Sequence, residues 1–243
     1  MGADTLVGES WINANWMFVG PFIGLLLMYR AFHTPKVVEN KLLLFVWAGM
    51  PIYAIHQFEE HAYDCYGRRY AFVDYLRENL EKQGIDGEAM SPTVVTVVNV
   101  FMIWVMFPVF ALYAERTGDF IPGALGWGMA LFNGVGGHVL PALINQKYNP
   151  GTIQSAIMLI PIAIMFFKEF LRIYGKEGKR IFIAALIVGG PGVHFGLIVL
   201  PVKLVADGVI GTNTCYLWII LGTLLLYGLV TKLLQPKSQP HNA

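Results

Sequence analysis

The sequence predicts an all-α, polytopic integral membrane bundle: about seven transmembrane helices and one amphipathic helix at the membrane surface. Three observations carry this fold class. Of 243 residues, 56% are hydrophobic and only 14% charged, against about 25% charged in soluble domains. The mean hydropathy is +0.55. Apolar runs near the usual bilayer-crossing length of about 17–25 residues recur at 14–30, 41–58, 93–114, 121–144, 153–170, 181–202 and 215–234.

The first run is short and carries Gly20 and Pro21. The second ends on His56-Gln57-Phe58-Glu59-Glu60-His61, six residues that hold two carboxylates and two imidazoles. The linker 62–91 is the long one. Within it, Val73, Leu76, Arg77 and Leu80 recur at helical spacing among acidic and basic residues, which predicts an amphipathic helix over 70–83 lying at the surface as a lid. The remaining runs are joined by short linkers. No repeat or low-complexity segment divides the chain, so residues 1–243 read as one transmembrane domain. The opening MGADTLVGES lacks a basic n-region, so no cleavable signal peptide is expected.

Orientation follows the positive-inside rule. Eleven of the 17 Lys and Arg residues fall on one side of this map, and four of the other six lie in the long linker. The N-terminus is therefore expected outside and the C-terminus in the cytoplasm. A net charge of +1 argues against a nucleic-acid partner. Two cysteines, Cys65 and Cys215, are too few for a disulfide framework. Both map to the outer face, yet a pairing between them is not expected.

Ionisable groups within membrane helices cost free energy and default to function. His56, Glu59 and Glu60 stand at i, i+3 and i+4, on one helix face. At about 1.5 Å rise per residue, His56 and His138 sit at a common level, some 7 Å outward of the midplane. His194, Asn99, Asn145, Gln154 and the Tyr148-Asn149-Pro150-Gly151 segment lie on the same outer half. The inner halves carry almost nothing ionisable. A one-sided polar chamber is the economical arrangement, because polar groups in lipid need partners. One chamber suits an enzyme better than a transporter, whose polar lining must reach both faces.

Imidazole and carboxylate at i and i+4 form a metal-ligand pair of the kind seen in H-E-x-x-H zinc helices. The expected ligands are His56, Glu60 and His138, for a divalent zinc- or iron-like metal. Glu59 is the expected base, and Tyr148 a donor to substrate. His61, Asn133 and His194 are secondary candidates. Each has a plainer reading. Glu59, Glu60 and His61 can mark where the helix leaves lipid. His138, after Gly134, Gly136 and Gly137, can fill a packing seam. His194, after Gly189-Gly190-Pro191-Gly192, can fill a kink. Asn99 and Asn133 suit interhelical hydrogen bonds, Tyr148–Gly151 suits a type II turn, and His33 suits a loop.

His56-x-x-Glu59-Glu60, a later histidine at His138 and Tyr148-x-Pro150-Gly151 together resemble the HXXEE-motif family of integral membrane proteins, over the second to fifth helices. The resemblance implies a shared membrane site and no assigned reaction. The chain does not resemble the membrane CAAX-type proteases, which need an arginine where Asp64 stands. Nor does it resemble the seven-helix ceramidases, since its last two helices contain only His194. The expected function is that of a metal-dependent enzyme, a hydrolase by default, acting on a lipid or other apolar substrate reached from the bilayer. Two alternatives remain: a metal-free acid/base isomerase or cyclase of an isoprenoid, and a proton-coupled transporter using Glu59 and Glu60.

Overall fold

The computed structural model describes residues 10–235. The expectations for the signal peptide and for the sides on which the two ends lie fall outside the described residues. Those residues are 85% helix with no strand.

The helices start and stop where local chemistry directs. Helix α1 (Trp11–Phe32) opens on Ser10, whose side chain accepts from Asn13 N–H, an N-cap that satisfies an orphan donor. It ends at His33, whose Nδ1 bonds to Tyr29 O. A short α2 (Pro35–Glu39) starts with proline at its first position, where the missing N–H costs nothing. Helix α3 (Lys41–Gln57) is capped by Asn40, which accepts from Leu43 N–H. It continues into a wide turn over Phe58–Ala62, closed by an i→i+5 bond from Tyr63 N–H to Phe58 O.

Helix α4 (Ala71–Lys82) is the amphipathic helix of the long linker, with Val73 and Leu80 buried. Helix α5 (Pro92–Thr117) starts at the Ser91 cap and ends at Gly118, whose φ of 72° suits glycine at a helix C-terminus. Helix α6 (Ile121–Asn145) is capped by Asp119, which accepts from Ile121 N–H at 2.9 Å. Helices α7 (Thr152–Ala206) and α8 (Thr212–Leu234) complete the chain.

Helix α7 is 55 residues long, about 80 Å if straight, far more than a hydrocarbon core of about 30 Å. It is not straight. Gly175 adopts φ 53°, ψ −124°, a conformation open to glycine. The rings of Phe167 and Phe182 lie 4.7 Å apart, which requires the chain to fold back there. α7 is thus a helical hairpin with arms 152–174 and 176–206.

Among the described residues, five helices are long and apolar enough to cross a membrane: α1, α5, α6, α7 counted whole, and α8. α3 carries His56, Gln57, Glu59 and Glu60 toward its end and is not among them. Large apolar side chains such as Leu25, Leu26, Leu143, Ile144 and Leu225 are about 70% exposed, a pattern that suits lipid rather than water.

An aromatic core holds the bundle. Trp127 stacks on Phe166, Phe166 on Phe170, and Phe170 on Tyr174. Trp127 also donates to Phe45 O at 3.1 Å. Glycines bring α6 against the second arm of α7. A Cβ on Gly128 would stand 2.5 Å from Ala185 O, and one on Gly189 would stand 2.3 Å from Met129 N. The backbones touch there and leave room for no side chain.

Candidate metal centre

The polar residues of the outer half converge. From α3, His56 Nε2 lies 3.3 Å from Glu60 Oε1. From α6, His138 Nε2 lies 2.9 Å from the same oxygen. The ligand atoms of His56, Glu60 and His138 all fall within 4.8 Å of one another, and all three side chains are buried. This His/Glu/His group could hold a metal ion.

The surroundings fix how the two imidazoles present themselves. Asn149 Nδ2 donates to Gly137 O at 2.9 Å, so its Oδ1 is the atom 3.1 Å from His138 Nδ1. That makes Nδ1 of His138 the protonated nitrogen, and a neutral ring then offers a lone pair at Nε2. Nε2 nevertheless meets Glu60 Oε1 at 2.9 Å. Two lone-pair atoms at that distance call for a cation between or beside them, either a metal or a proton. His56 is turned the same way: its Nδ1 lies 3.4 Å from Ser155 Oγ, and its Nε2 faces Glu60. Outer partners of this kind orient metal-binding histidines.

Asn133 sits beside the group. Its Nδ2 end lies 3.2 Å from His56 Nε2 and 3.3 Å from His138 Nε2, and its Oδ1 end lies 3.3 Å from His194 Nε2. His194 Nδ1 faces two carbonyls, Gly189 O at 2.7 Å and Gly190 O at 3.2 Å, so it carries the proton. In a neutral ring His194 Nε2 is then an acceptor, and the amide serves it best with the nitrogen and oxygen ends exchanged. That orientation turns Oδ1 of Asn133 toward His56 and His138.

His194 is therefore an outer residue that both fills the kink and orients Asn133. His61 is buried against Trp16 and Phe72, with Nε2 3.6 Å from Glu60 Oε2. Asn99 pairs across helices with Gln57, whose Nε2 donates to its Oδ1 at 2.9 Å, and Trp104 donates to Gln57 Oε1.

Glu59 turns away from this group. Its carboxylate accepts from the N–H groups of Ile153 and Gln154 and from the Tyr148 hydroxyl at 2.8 Å. It thus sits at the N-terminus of α7, where backbone donors and the helix dipole favour negative charge. Burial, and then the bond to Glu59, push the Tyr148 phenol above its ordinary pKa, so it stays a neutral donor. Gly151 makes the turn possible. Its φ is 92°, and a Cβ there would meet His138 Cε1 at 2.7 Å and Glu60 Cγ at 2.9 Å.

Asn149 and Ser155 are partners that the sequence reading did not single out. Asn149 lies inside the quoted turn and Ser155 just past it, so position alone could have suggested both. The wide turns left no sequence signal. Four of them, Phe58–Ala62, Asn133–Val139, Ser155–Leu159 and Val188–Val199, carry Glu59, Glu60, His61, Asn133, His138, Ser155 and His194. Such π-type turns frequently mark functional positions in helices.

A cavity of about 200 Å³ adjoins the group. Its polar lining includes Glu60, His61, Asn133 and His194, together with Asn99, Tyr53 and Tyr75. Apolar side chains of α4, α5 and the second arm of α7 form the rest, including Leu76, Leu80, Met102 and Val193. Glu59 instead lines a separate cavity with Phe18, Phe22 and Tyr63. Cys65 is exposed there and Cys215 is buried in α8.

Residues 47–166 match the model of a family described as a protein of unknown function with HXXEE motif. The matched segment contains His56, Glu59, Glu60, His138 and the Tyr148–Gly151 turn, and stops short of His194. No curated protein and no solved structure is significantly similar to the chain.

Proposed function

For a chain whose segment 47–166 belongs to the HXXEE family, we propose a membrane-embedded, metal-dependent enzyme acting on a lipid or other apolar substrate, with hydrolysis as its reaction. One observation carries the reading: His56 Nε2, Glu60 Oε1 and His138 Nε2 converge beside an apolar cavity, with His138 and Glu60 presenting lone pairs to each other at 2.9 Å. This donor set of two nitrogens and one oxygen suits a zinc- or iron-like ion, and Asn133 Oδ1 would complete it. A bound ion of this kind supplies Lewis-acid polarisation of an oxygen on substrate or water.

The chain's own residues do the rest. Ser155 and Asn149 hold the imidazoles by their far nitrogens. Glu60 Oε2 and His61 face the cavity, placed to hold a proton or a polar substrate atom. The apolar lining excludes water and takes the substrate body. Glu59 and Tyr148, expected above as base and donor, are assigned here to positioning, because the donors that engage Glu59 pin it to the start of α7. The proposed topology has seven crossings, counting α3 and each arm of α7, with the site on the exoplasmic half, the N-terminus outside and the C-terminus cytoplasmic.

Elemental analysis of the purified protein tests the reading. About one equivalent of a transition metal is expected, lost in Glu60→Ala and His138→Ala and kept in Glu59→Gln. Less than that, unchanged by those substitutions, would overturn it. The observation at His138 and Glu60 also fits a shared proton, which supports metal-free acid/base chemistry as the second reading. Proton-driven solute uptake into liposomes, abolished by Glu59→Gln, would identify a transporter instead.

A further inference from the structure

His61 stands apart from the other polar residues that line the cavity. It is 1% exposed, and neither ring nitrogen has a hydrogen-bond partner among the described residues. Its neighbours are aromatic: the Trp16 ring lies 5.0 Å away and the Phe72 ring 5.7 Å. The Tyr70 ring also lies 5.7 Å away, and Glu60 Oε2 stands 3.6 Å from Nε2, beyond hydrogen-bond length. A buried imidazole without partners costs free energy unless something supplies them. His61 also lines the 200 Å³ cavity, so the missing partner can come from a molecule seated there.

The cavity limits what that molecule is. An apolar cavity of about 150 Å³ accommodates benzene, so this one takes a compact apolar body slightly larger than a single ring, or the end of a longer chain. Glu60 and His61 supply neighbouring polar groups on its wall, and Asn99, Asn133, His194, Tyr53 and Tyr75 also line it. Met90, Met102 and Met129 line the rest, and methionine adapts to varied apolar shapes.

We propose that His61 is a substrate-binding residue: it hydrogen-bonds the lone hydroxyl oxygen of an otherwise apolar molecule held in this cavity, and that hydroxyl donates its proton to Glu60 Oε2. An oxygen placed against both residues closes the gap between Nε2 and Oε2. This rests on the enzyme reading only for the word substrate; the binding site stands without a metal.

The test uses the full-length protein in lipid nanodiscs and two fluorinated probes of nearly equal shape, 2-(4-fluorophenyl)ethanol and 1-fluoro-4-propylbenzene. Saturable binding is read by fluorine NMR, and metal content is measured on the same samples. The wild type is expected to bind the alcohol about tenfold more tightly than the hydrocarbon, as one well-made hydrogen bond to a buried group would give. His61→Phe, which keeps the ring's bulk among its aromatic neighbours, is expected to bind both probes equally while retaining its metal and its melting temperature. His61→Gln is expected to restore part of the preference. Equal binding of the two probes by the wild type, a preference that survives His61→Phe, or no saturable binding of either probe would overturn the proposal. A preference seen in protein that holds no metal would sink the metal reading and leave this one standing.

Discussion

Asn149 shows how much of a site one amide can set. Its nitrogen holds the Gly137 carbonyl and its oxygen faces His138 Nδ1, so it fixes the ring's tautomer as well as its angle. Outer partners of metal-binding histidines are typically worth about 10–100-fold in metal affinity. Asn149→Ala is expected to lose that much, read by competition with a metallochromic chelator, with helix content by circular dichroism unchanged. Glu59 and Glu60 make the opposite point. They are adjacent in sequence and chemically alike, yet one carboxylate caps a helix and the other joins two imidazoles. The i, i+4 spacing made His56 and Glu60 legible as a pair, and depth along the helices added His138. Nothing in the residue types showed that Glu59 would be held by Tyr148 and the N–H groups of Ile153 and Gln154, because that depends on where the start of α7 lands.

At the scale of elements, the turn between α6 and α7 behaves as part of the site. Gly151 carries positive φ and abuts both His138 and Glu60. Gly151→Ala is expected to destabilise the protein by about 1 kcal/mol or more from backbone strain. It should also displace His138, so metal content falls further than the melting temperature alone accounts for. Asp119 offers a test away from the membrane core. Burial raises its carboxyl pKa, outweighing its bonds from Ile121, Gln235 and Tyr113. A carboxyl raised in the folded state contributes stability below its unfolded pKa and loses it as pH rises through the folded value. Asp119→Asn keeps an acceptor for Ile121 N–H without the charge. Its melting temperature relative to wild type is therefore expected to be higher at pH 7 than at pH 4. The caps at Ser10, Asn40 and Ser91 are residue types that sequence alone flags as helix starts. The wide i→i+5 turns are not, because shifting a bond by one carbonyl changes no composition and no period.

Across the whole molecule, hydropathy located the apolar segments well: each of the expected runs coincides with helix. It also separated 153–170 from 181–202, and the structure supplies the reason in the reversal at Gly175 among charged residues. The amphipathic pattern of α4 suggested a lid, and α4 side chains do line the cavity, but hydropathy does not order the helices around one another, so it could not show that Phe18 and Tyr63 line a second one. The proposed topology puts the exposed Cys65 outside and the bend of the α7 hairpin at Gly175 in the cytoplasm. A membrane-impermeant maleimide is expected to label Cys65 on intact cells. A cysteine introduced at Lys176 in a Cys65→Ala background should react only after the membrane is opened. Labelling at position 176 from outside would reverse the map.

The backbone contact between α6 and the second arm of α7 reaches beyond packing. Gly128 lies five positions before Asn133, and Gly189 lies five before His194, so the two strips of glycine act as a common datum from which amide and imidazole are measured off. A methyl group inserted at either glycine would lever the two rods apart about a fulcrum more than a helical turn from the ligands. Variants at Gly128 or Gly189 should then pass for lesions of the centre itself, although neither belongs to the His/Glu/His group and Gly189 reaches it only through its carbonyl's bond to His194.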